Sequence, residues 1–260
     1  MALMHDHDKG LAFDLPKLIS RRQALGVLAG SLTTAALAAC GAGSSTSTSA
    51  SAADGEIPEE TAGPYPGDGS NGPNVLTESG VVRSDLTKSF GAASGVATGV
   101  PATVEMTLLD VAGGGSPLAG AAIYLWHCDS GGRYSLYDQE VSGENYLRGV
   151  QESNANGKVT FETIFPAAYD GRWPHIHFEV YESLDAATSA GAKLHTSQIA
   201  LPQDACEAVY ATDGYEQSAT NLAQTSLDTD MVFGDGYKSQ LATTSGSVDT
   251  GIAIKLNVGV

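Results

Sequence analysis

Two histidines at alternate positions, His175 and His177, are the residues of this chain best suited to bind a metal ion. They lie in the run HIHFEVY, whose alternation and β-forming residues predict a strand with both imidazoles on one face. At the usual strand rise the two side chains lie roughly 6–7 Å apart, so one metal ion could bind both. Pro174 has no backbone N–H and suits the start of such a strand.

The loop that leads into this strand carries a phenol and a guanidinium, those of Tyr169 and Arg172. Further upstream, the segment WHCDSGGRYS at residues 126–135 predicts a strand that ends in a Gly-Gly turn and delivers Tyr134. The pattern His-x-His also occurs as two ordinary strand histidines, but the chain has only six histidines and two belong to its first residues. Tyr137 competes with Tyr134 as a ligand, and the glycine turn favours Tyr134.

Two phenolates and two imidazoles form a ligand set of hard-to-borderline character. Phenolate is a strong donor to ferric iron, and two phenolates with a bound hydroxide would neutralise its three positive charges. Such a set therefore favours Fe(III) over Zn(II). The candidate ligands are Tyr134, Tyr169, His175 and His177. A further histidine, His127, is expected to face away from its neighbours and to serve packing or hydrogen bonding.

The first forty residues predict an export signal. Arg21 and Arg22 precede an uncharged run at residues 24–39, which is typical of a twin-arginine signal. The run is too short and too rich in Gly, Ser and Thr for a membrane-spanning helix. The small residues before Cys40 resemble a bacterial lipobox, so Cys40 is a candidate for lipid attachment; a cleaved signal with an incidental cysteine is the alternative. The protein is expected to be exported, as a cell-surface lipoprotein or an extracellular protein.

Residues 41–58 are small and polar and predict a flexible tether, which a single domain at residues 59–260 follows. The net charge of −17 argues against nucleic acid or an anionic membrane surface as a partner. Membrane contact is therefore expected only through the lipid anchor. Cys128 and Cys206 are the cysteines that remain after Cys40, and in an oxidising compartment they could form a disulfide.

Short alternating segments separated by Gly, Pro and Asn turns predict an all-β fold, a β-sandwich with long ordered loops and at most short helices. One short helix is expected at residues 204–211. The residues 59–79, rich in Gly and Pro, are expected to form an ordered loop from which Tyr65 could reach into a pocket. Strands are expected at residues 103–109, 122–127, 158–165, 175–181, 194–201 and 252–258.

These motifs resemble those of the intradiol ring-cleavage dioxygenases, the family of protocatechuate 3,4-dioxygenase and catechol 1,2-dioxygenase. The sequence GRY at residues 132–134 is similar to the Gly-x-Tyr turn of that family. Tyr169, followed by RWPHIHF at residues 172–178, is similar to its second tyrosine and its Arg-x-x-His-x-His-Phe strand. ETAGPY at residues 60–65 resembles the family's entrance segment, and Gln198 matches a strand glutamine that follows the histidines.

The resemblance implies a non-haem Fe(III) centre that opens a catechol-type ring with O2 and gives a cis,cis-muconate. The two tyrosines and two histidines would hold the iron, and Tyr169 would act as a base toward the catechol. Arg172 would stabilise charge on the ring during oxygen attack, and Gln198 would border the oxygen pocket. Pro64 and Tyr65, together with Arg172, would contact the substrate. The identity of the catechol and the oligomeric state stay open.

The resemblance covers roughly residues 56–202, and two other functions also remain open from the sequence. A tri-histidine zinc site of a hydrolase or hydratase could form from His175, His177 and His195, although both tyrosines and the arginine would then have no role. A non-catalytic exported β-sandwich binding module is the second alternative.

Overall fold

Apolar residues alternate along the three longest-paired strands of one sheet, and the protein folds as two packed sheets. The computed structural model describes residues 55–189 and 191–260. The predictions for the export signal at residues 1–40, including Cys40, and for residues 41–54 of the tether lie outside those residues. Nine strands in two sheets and three short helices are described, and the predicted all-β sandwich is confirmed.

The first sheet is built around β1 (Pro101–Asp110), whose apolar side chains at alternate positions are buried. It lies between β5 (Lys158–Ile164), which is antiparallel to it, and β9 (Gly251–Gly259), which is parallel to it. Two further strands, β2 (Ser116–Pro117) and β8 (Thr243–Ser247), extend the sheet beside β1 and β9. The inward side chains of this sheet form one half of the main core.

The second sheet is antiparallel and has the strand order β4-β3-β6-β7. Its strands are β3 (Ala122–Trp126), β4 (Arg148–Glu152), β6 (His175–Tyr181) and β7 (Lys193–Ala200). Every residue of β3 and β6 is buried. One face of the sheet belongs to the main core, and the other, the loop-side face, packs under the long loops. Because both faces are covered, polar side chains on the loop-side face are held away from solvent.

Three helices of five to eight residues lie between strands: α1 (Leu184–Thr188), α2 (Gln203–Tyr210) and α3 (Glu216–Leu222). The helix expected at residues 204–211 corresponds to α2, whose buried residues join the main core. Within the described part of the chain no helix is long and apolar enough to cross a membrane.

The first described residues run along the outer edge of β7. The backbone N–H of Glu60 donates to the carbonyl of Thr196 at 2.7 Å, and Ser197 Oγ donates to the carbonyl of Pro58 at 2.8 Å. Ile57 is 1% exposed and belongs to the main core. Apolar burial and these hydrogen bonds therefore fix residues 57 and 58, the last two residues of the predicted tether.

The disulfide expected between Cys128 and Cys206 is not formed, which corrects the prediction. Both are buried free cysteines. Cys128 lies on the loop-side face, where its Sγ contacts the carbonyl of Ala167 at 3.5 Å, whereas Cys206 lies in the main core. Burial raises the pKa of both thiols, so they stay protonated and unreactive.

We expect Cys128 and Cys206 to react with a thiol reagent only after unfolding, because the buried native thiols are neutral and shielded. Iodoacetamide without reductant should label both peptides in guanidinium chloride but neither in native buffer, as read by peptide mass spectrometry. A disulfide-linked pair of peptides, or labelling that requires prior reduction, would contradict the structure.

Candidate metal centre

Strand β6 places its two histidines on the loop-side face of the second sheet, as the alternation predicts. His175 and His177 are each 2% exposed. His177 lies opposite Trp126 of β3 and opposite Gln198 of β7. The indole of Trp126 stacks on the imidazole of His177, with ring centroids 4.9 Å apart and planes at 6°. The neighbouring strand thereby fixes the orientation of this imidazole.

Two ring nitrogens and a phenol oxygen meet beside these rings. His175 Nε2 lies 3.1 Å from His177 Nε2 and 3.1 Å from Tyr169 Oη. His175 Nδ1 lies 2.6 Å from the carbonyl oxygen of Trp173, which places the proton on Nδ1 and the lone pair on Nε2. A histidine that binds a metal through one nitrogen usually donates its other N–H in this way. The three atoms are grouped as ligands of one metal ion would be.

A second phenol reaches the same place from the turn that follows β3. Asp129 holds this turn by accepting two backbone hydrogen bonds on Oδ1, and Gly132 adopts a φ of +83°. The ring of Tyr134 then lies 6.0 Å from that of Tyr169 and 6.2 Å from that of His177, centroid to centroid. The buried hydroxyl of Tyr134 makes no hydrogen bond of acceptable geometry with any described residue. The structure thus brings all four predicted ligands together.

Burial sets the protonation of these groups. It lowers the pKa of His175, assisted by the positive charge of Arg172, and it lowers the pKa of His177, with His175 as the next cause. Both imidazoles are therefore neutral, which is the state that binds a metal ion. Burial raises the pKa of Tyr134, so its phenolate requires a neighbouring cation. Two neutral imidazoles and two phenols fit a multivalent cation such as Fe(III).

Arg172 lies in the loop before β6, with its guanidinium between a carboxylate and an amide. Its Nε donates to Asp230 Oδ2 at 2.9 Å, and its Nη2 donates to Gln198 Oε1 at 2.7 Å. Gln198 Nε2 in turn donates to the carbonyl of Thr61 at 2.9 Å. The two residues predicted to act during oxygen attack therefore form one hydrogen-bonded network. Asp230 was not foreseen from the sequence.

The entrance segment packs directly against one of the candidate ligands. Gly63 has a φ of +70°, and a Cβ at this position would lie 3.1 Å from His177 Cε1. Glycine is what allows the backbone to approach so closely in this conformation. Pro64 and Tyr65 follow and are buried, and the ring of Tyr65 packs 4.9 Å from that of Tyr134. Pro64 and Tyr65, which were predicted to contact the substrate, therefore lie beside the candidate metal centre. Their contact with a substrate stays a prediction.

A buried arginine of β4 holds the surrounding loops in place. Arg148 donates from Nε to Ser135 Oγ at 3.0 Å and from Nη2 to the carbonyl of the same serine at 2.9 Å. Its Nη1 donates to the carbonyl of Pro66 at 2.9 Å. One guanidinium thus ties the turn that carries Tyr134 to the end of the entrance segment. The sequence gives no local signal for this role, because strand arginines are usually exposed.

Two residues that compete with the ligands have other partners. His127 Nε2 lies 2.7 Å from Thr163 Oγ1, and its Nδ1 lies 2.8 Å from the carbonyl of Cys128, so its predicted hydrogen-bonding role is confirmed. The hydroxyl of Tyr137 accepts a hydrogen bond from the backbone N–H of Gly67 at 2.8 Å.

The tri-histidine zinc site is not formed, so that alternative is wrong. His195 lies opposite Val180, away from the Gln198 position that faces His177. Its Nδ1 instead lies 3.2 Å from Glu59 Oε2. Across residues 55–189 and 191–260 no group of three or more His, Cys, Asp or Glu side chains is arranged to hold a metal ion. The strand register separates His195 from the other two histidines.

The sequence model of the dioxygenase family (Dioxygenase_C) matches residues 71–204, slightly more than half of the chain. Catechol 1,2-dioxygenase 1 of Acinetobacter lwoffii is 39% identical over 56 residues, which are 21% of this chain and 18% of that protein. The chain thus aligns with about a fifth of the length of the curated relatives that it matches.

Solved structures share the fold over a larger part of the chain. The intradiol ring-cleavage dioxygenase of Tetranychus urticae is 25% identical, with a TM-score of 0.57 over 70% of this chain and 87% of that chain. The dioxygenase domain of a dioxygenase carbohydrate-binding protein fusion from Streptomyces sp. SirexAA-E is 21% identical, with a TM-score of 0.50 over 79% of this chain and 97% of that chain, and supports the fold alone. From the family match and the likeness to the Tetranychus urticae enzyme, the chain belongs to the intradiol ring-cleavage dioxygenase family.

Proposed function

We propose that this protein is a non-haem Fe(III)-dependent intradiol dioxygenase that cleaves a catechol ring between its two hydroxylated carbons. Both atoms of O2 would enter the product, a cis,cis-muconate. The proposal is carried by one observation, the grouping of two phenols and two imidazoles in a buried site on the loop-side face. Membership of the dioxygenase family supports it.

The four grouped residues would hold the ferric ion. Their imidazoles are already neutral, and ionisation of the two phenols would offset two of its three charges. When bound, ferric iron acts as a Lewis acid that draws electron density from a catecholate and so activates the ring toward O2. The residues involved are Tyr134, Tyr169, His175 and His177.

Tyr169 is the phenol placed to move a proton. Its Oη already shares a hydrogen bond with His175 Nε2 at 3.1 Å, whereas the Tyr134 hydroxyl is more deeply enclosed, with 2% of that residue exposed against 7% of Tyr169. As a phenolate, Tyr169 Oη would accept the proton of one catechol hydroxyl, so that no separate general base is needed.

Arg172 would stabilise the negative charge that develops on the ring during oxygen attack. Its guanidinium is buried, and a low dielectric strengthens its attraction to an anionic substrate. Asp230 engages Nε and Nη2, so the Nη1 side of the guanidinium is turned away from that carboxylate. Gln198, held between Arg172 and Thr61, would form part of the wall of the oxygen pocket. Pro64 and Tyr65 would form an apolar wall for the planar catechol.

We further propose that the protein is exported and that Cys40 carries a lipid. The paired arginines, the uncharged run after them and the small residues before Cys40 support this proposal. A chain with a net charge of −17 would then work outside the cytoplasm without binding nucleic acid.

We expect the iron-loaded protein to be burgundy-red, because phenolate-to-Fe(III) charge transfer absorbs visible light. Tyr134→Phe and Tyr169→Phe should each weaken or shift the visible band and lower iron affinity by about 10–100-fold, measured by absorption spectroscopy and metal analysis. A chelator that removes the iron should bleach the wild-type protein.

Tyr137→Phe is the matched control for colour, because the hydroxyl of Tyr137 is engaged by the backbone of Gly67. It should keep the full visible band. A colourless iron-loaded wild type, or full colour after both Tyr134 and Tyr169 are replaced, would refute the proposed centre.

Arg172→Lys should keep the visible band while kcat/KM for a catechol falls by about 10²–10³-fold. Lysine keeps the charge, but its single nitrogen lacks the planar fork that engages Asp230 and Gln198 together. Oxygen-electrode assays with a panel of catechols measure the effect. Undiminished oxygen uptake by this variant would show that Arg172 takes no part in the reaction.

Cys40→Ala should move the protein from the membrane fraction to the soluble fraction, because the site of lipid attachment is lost. Cell fractionation with labelled palmitate measures both location and lipid content. Ser44→Ala, in the predicted tether just after Cys40, should leave the membrane fraction unchanged. Equal membrane association of the Cys40→Ala protein would show that no lipid is attached there.

A further inference from the structure

Asp230 is a fully buried carboxylate that lies beyond the matched family region, in the segment after α3. Its Oδ2 accepts from Arg172 Nε at 2.9 Å and from the backbone N–H of Trp173 at 2.7 Å. Its Oδ1 accepts from Arg172 Nη2 at 3.4 Å and from the backbone N–H groups of Val232 and Phe233 at 2.8 and 3.2 Å. Five N–H groups therefore point at one side chain.

The chemistry of these partners requires a carboxylate. Every partner of Asp230 is a donor, and a carboxylate is the side chain that offers only acceptor positions to all of them. An asparagine would direct its own N–H groups at some of these donors and leave them unsatisfied. A bidentate ion pair with a guanidinium also fixes the plane of that group, which a single-point contact does not.

The position of this carboxylate links two parts of the site. Through Trp173 it fixes the backbone just before β6, and through Arg172 it fixes the guanidinium beside Gln198. The same segment carries Phe233, whose ring lies 6.5 Å from that of His175. The segment that carries Asp230 and Phe233 thus fixes both the side chain of Arg172 and the backbone that precedes His175.

We propose that Asp230 is the positioning residue for Arg172: it sets the direction in which the guanidinium faces the substrate. This inference rests on the proposed function, since it assigns Arg172 to the stabilisation of charge on the ring. The hydrogen bonds and ion pair given above join Asp230 to Arg172 and to backbone N–H groups, so it acts through Arg172. Displacement of a catalytic group by about 1 Å costs on the order of 10²-fold in rate.

The test compares Asp230→Asn with the wild-type, iron-loaded, full-length protein. Asp230→Asn should keep the visible band and lower kcat/KM for a catechol by about 10²-fold, mostly through kcat. In an Arg172→Gln background the same change should alter kcat/KM by less than about twofold, because its effect passes through Arg172. Glu105→Gln, which removes a carboxylate paired with Lys158 on the first sheet, should leave the kinetics unchanged.

A second measurement does not depend on activity. In the iron-free protein the Nε–H resonance of Arg172, assigned by its absence in Arg172→Gln, should be sharp and protected from exchange in the wild type. It should shift and lose protection in Asp230→Asn. If Asp230→Asn fails to fold, Asp230→Glu takes its place, since it keeps the charge and moves the carboxylate by one methylene; it should show the same losses.

Wild-type kinetics in a folded Asp230→Asn protein would overturn the inference, as would losses that add in full to those of Arg172→Gln. An unchanged Arg172 resonance in Asp230→Asn or its substitute would overturn it too. If no variant and no wild-type protein opens any catechol, the proposed function fails, and the resonance still decides whether Asp230 orients Arg172.

Discussion

The two covered faces of β6 are the constraint on which the rest of the structure depends. Ile176 and Phe178 anchor the strand in the main core, so the two histidines between and beside them cannot move independently of that core. Burial on the opposite face then encloses the hydroxyl of Tyr134, which makes no hydrogen bond of good geometry among the described residues although the phenol of Tyr169 lies beside it. An unsatisfied buried hydroxyl costs roughly 1–3 kcal/mol. Binding of a cation by the phenolate would offset that cost.

The loops around the centre are held by charged side chains, whereas the sheets are held by backbone pairing. Arg148 fastens the turn that carries Tyr134, and Asp230 fastens Arg172. Lys193 bridges Asp68 and Glu179 at 2.5 and 2.6 Å and thereby ties the loop after the entrance segment to the second sheet. Catalytic and binding residues often lie on loops that a rigid scaffold holds in place. Here ionic contacts hold the loops rigid where no helix or strand does so.

The fold and the grouping of the candidate ligands were predictable where the local sequence pattern decides the structure. The alternation of HIHFEVY gave the bounds of β6, and the Gly-Gly turn selected Tyr134 over Tyr137. Strand β4 was missed because its sequence, RGVQE, reads as polar although its first residues are buried. Asp230 could not be predicted, since it meets Arg172 across 58 residues of chain. The disulfide was wrongly predicted for the same reason. The number of cysteines indicates that a disulfide could form, but tertiary packing decides whether the two sulfur atoms lie close enough to form it.

The residues before and within the entrance segment have two roles at once, because they pair with β7 and also lie over His177. The outer strand of a sheet exposes unpaired backbone groups that can recruit another chain, and Glu60 and Ser197 take part in covering this one. Gly63, three residues after Glu60, packs over the candidate metal centre. Admission of a ligand by lifting this stretch would uncover the strand, so access to the candidate centre and resistance to aggregation are opposing demands on the same few residues.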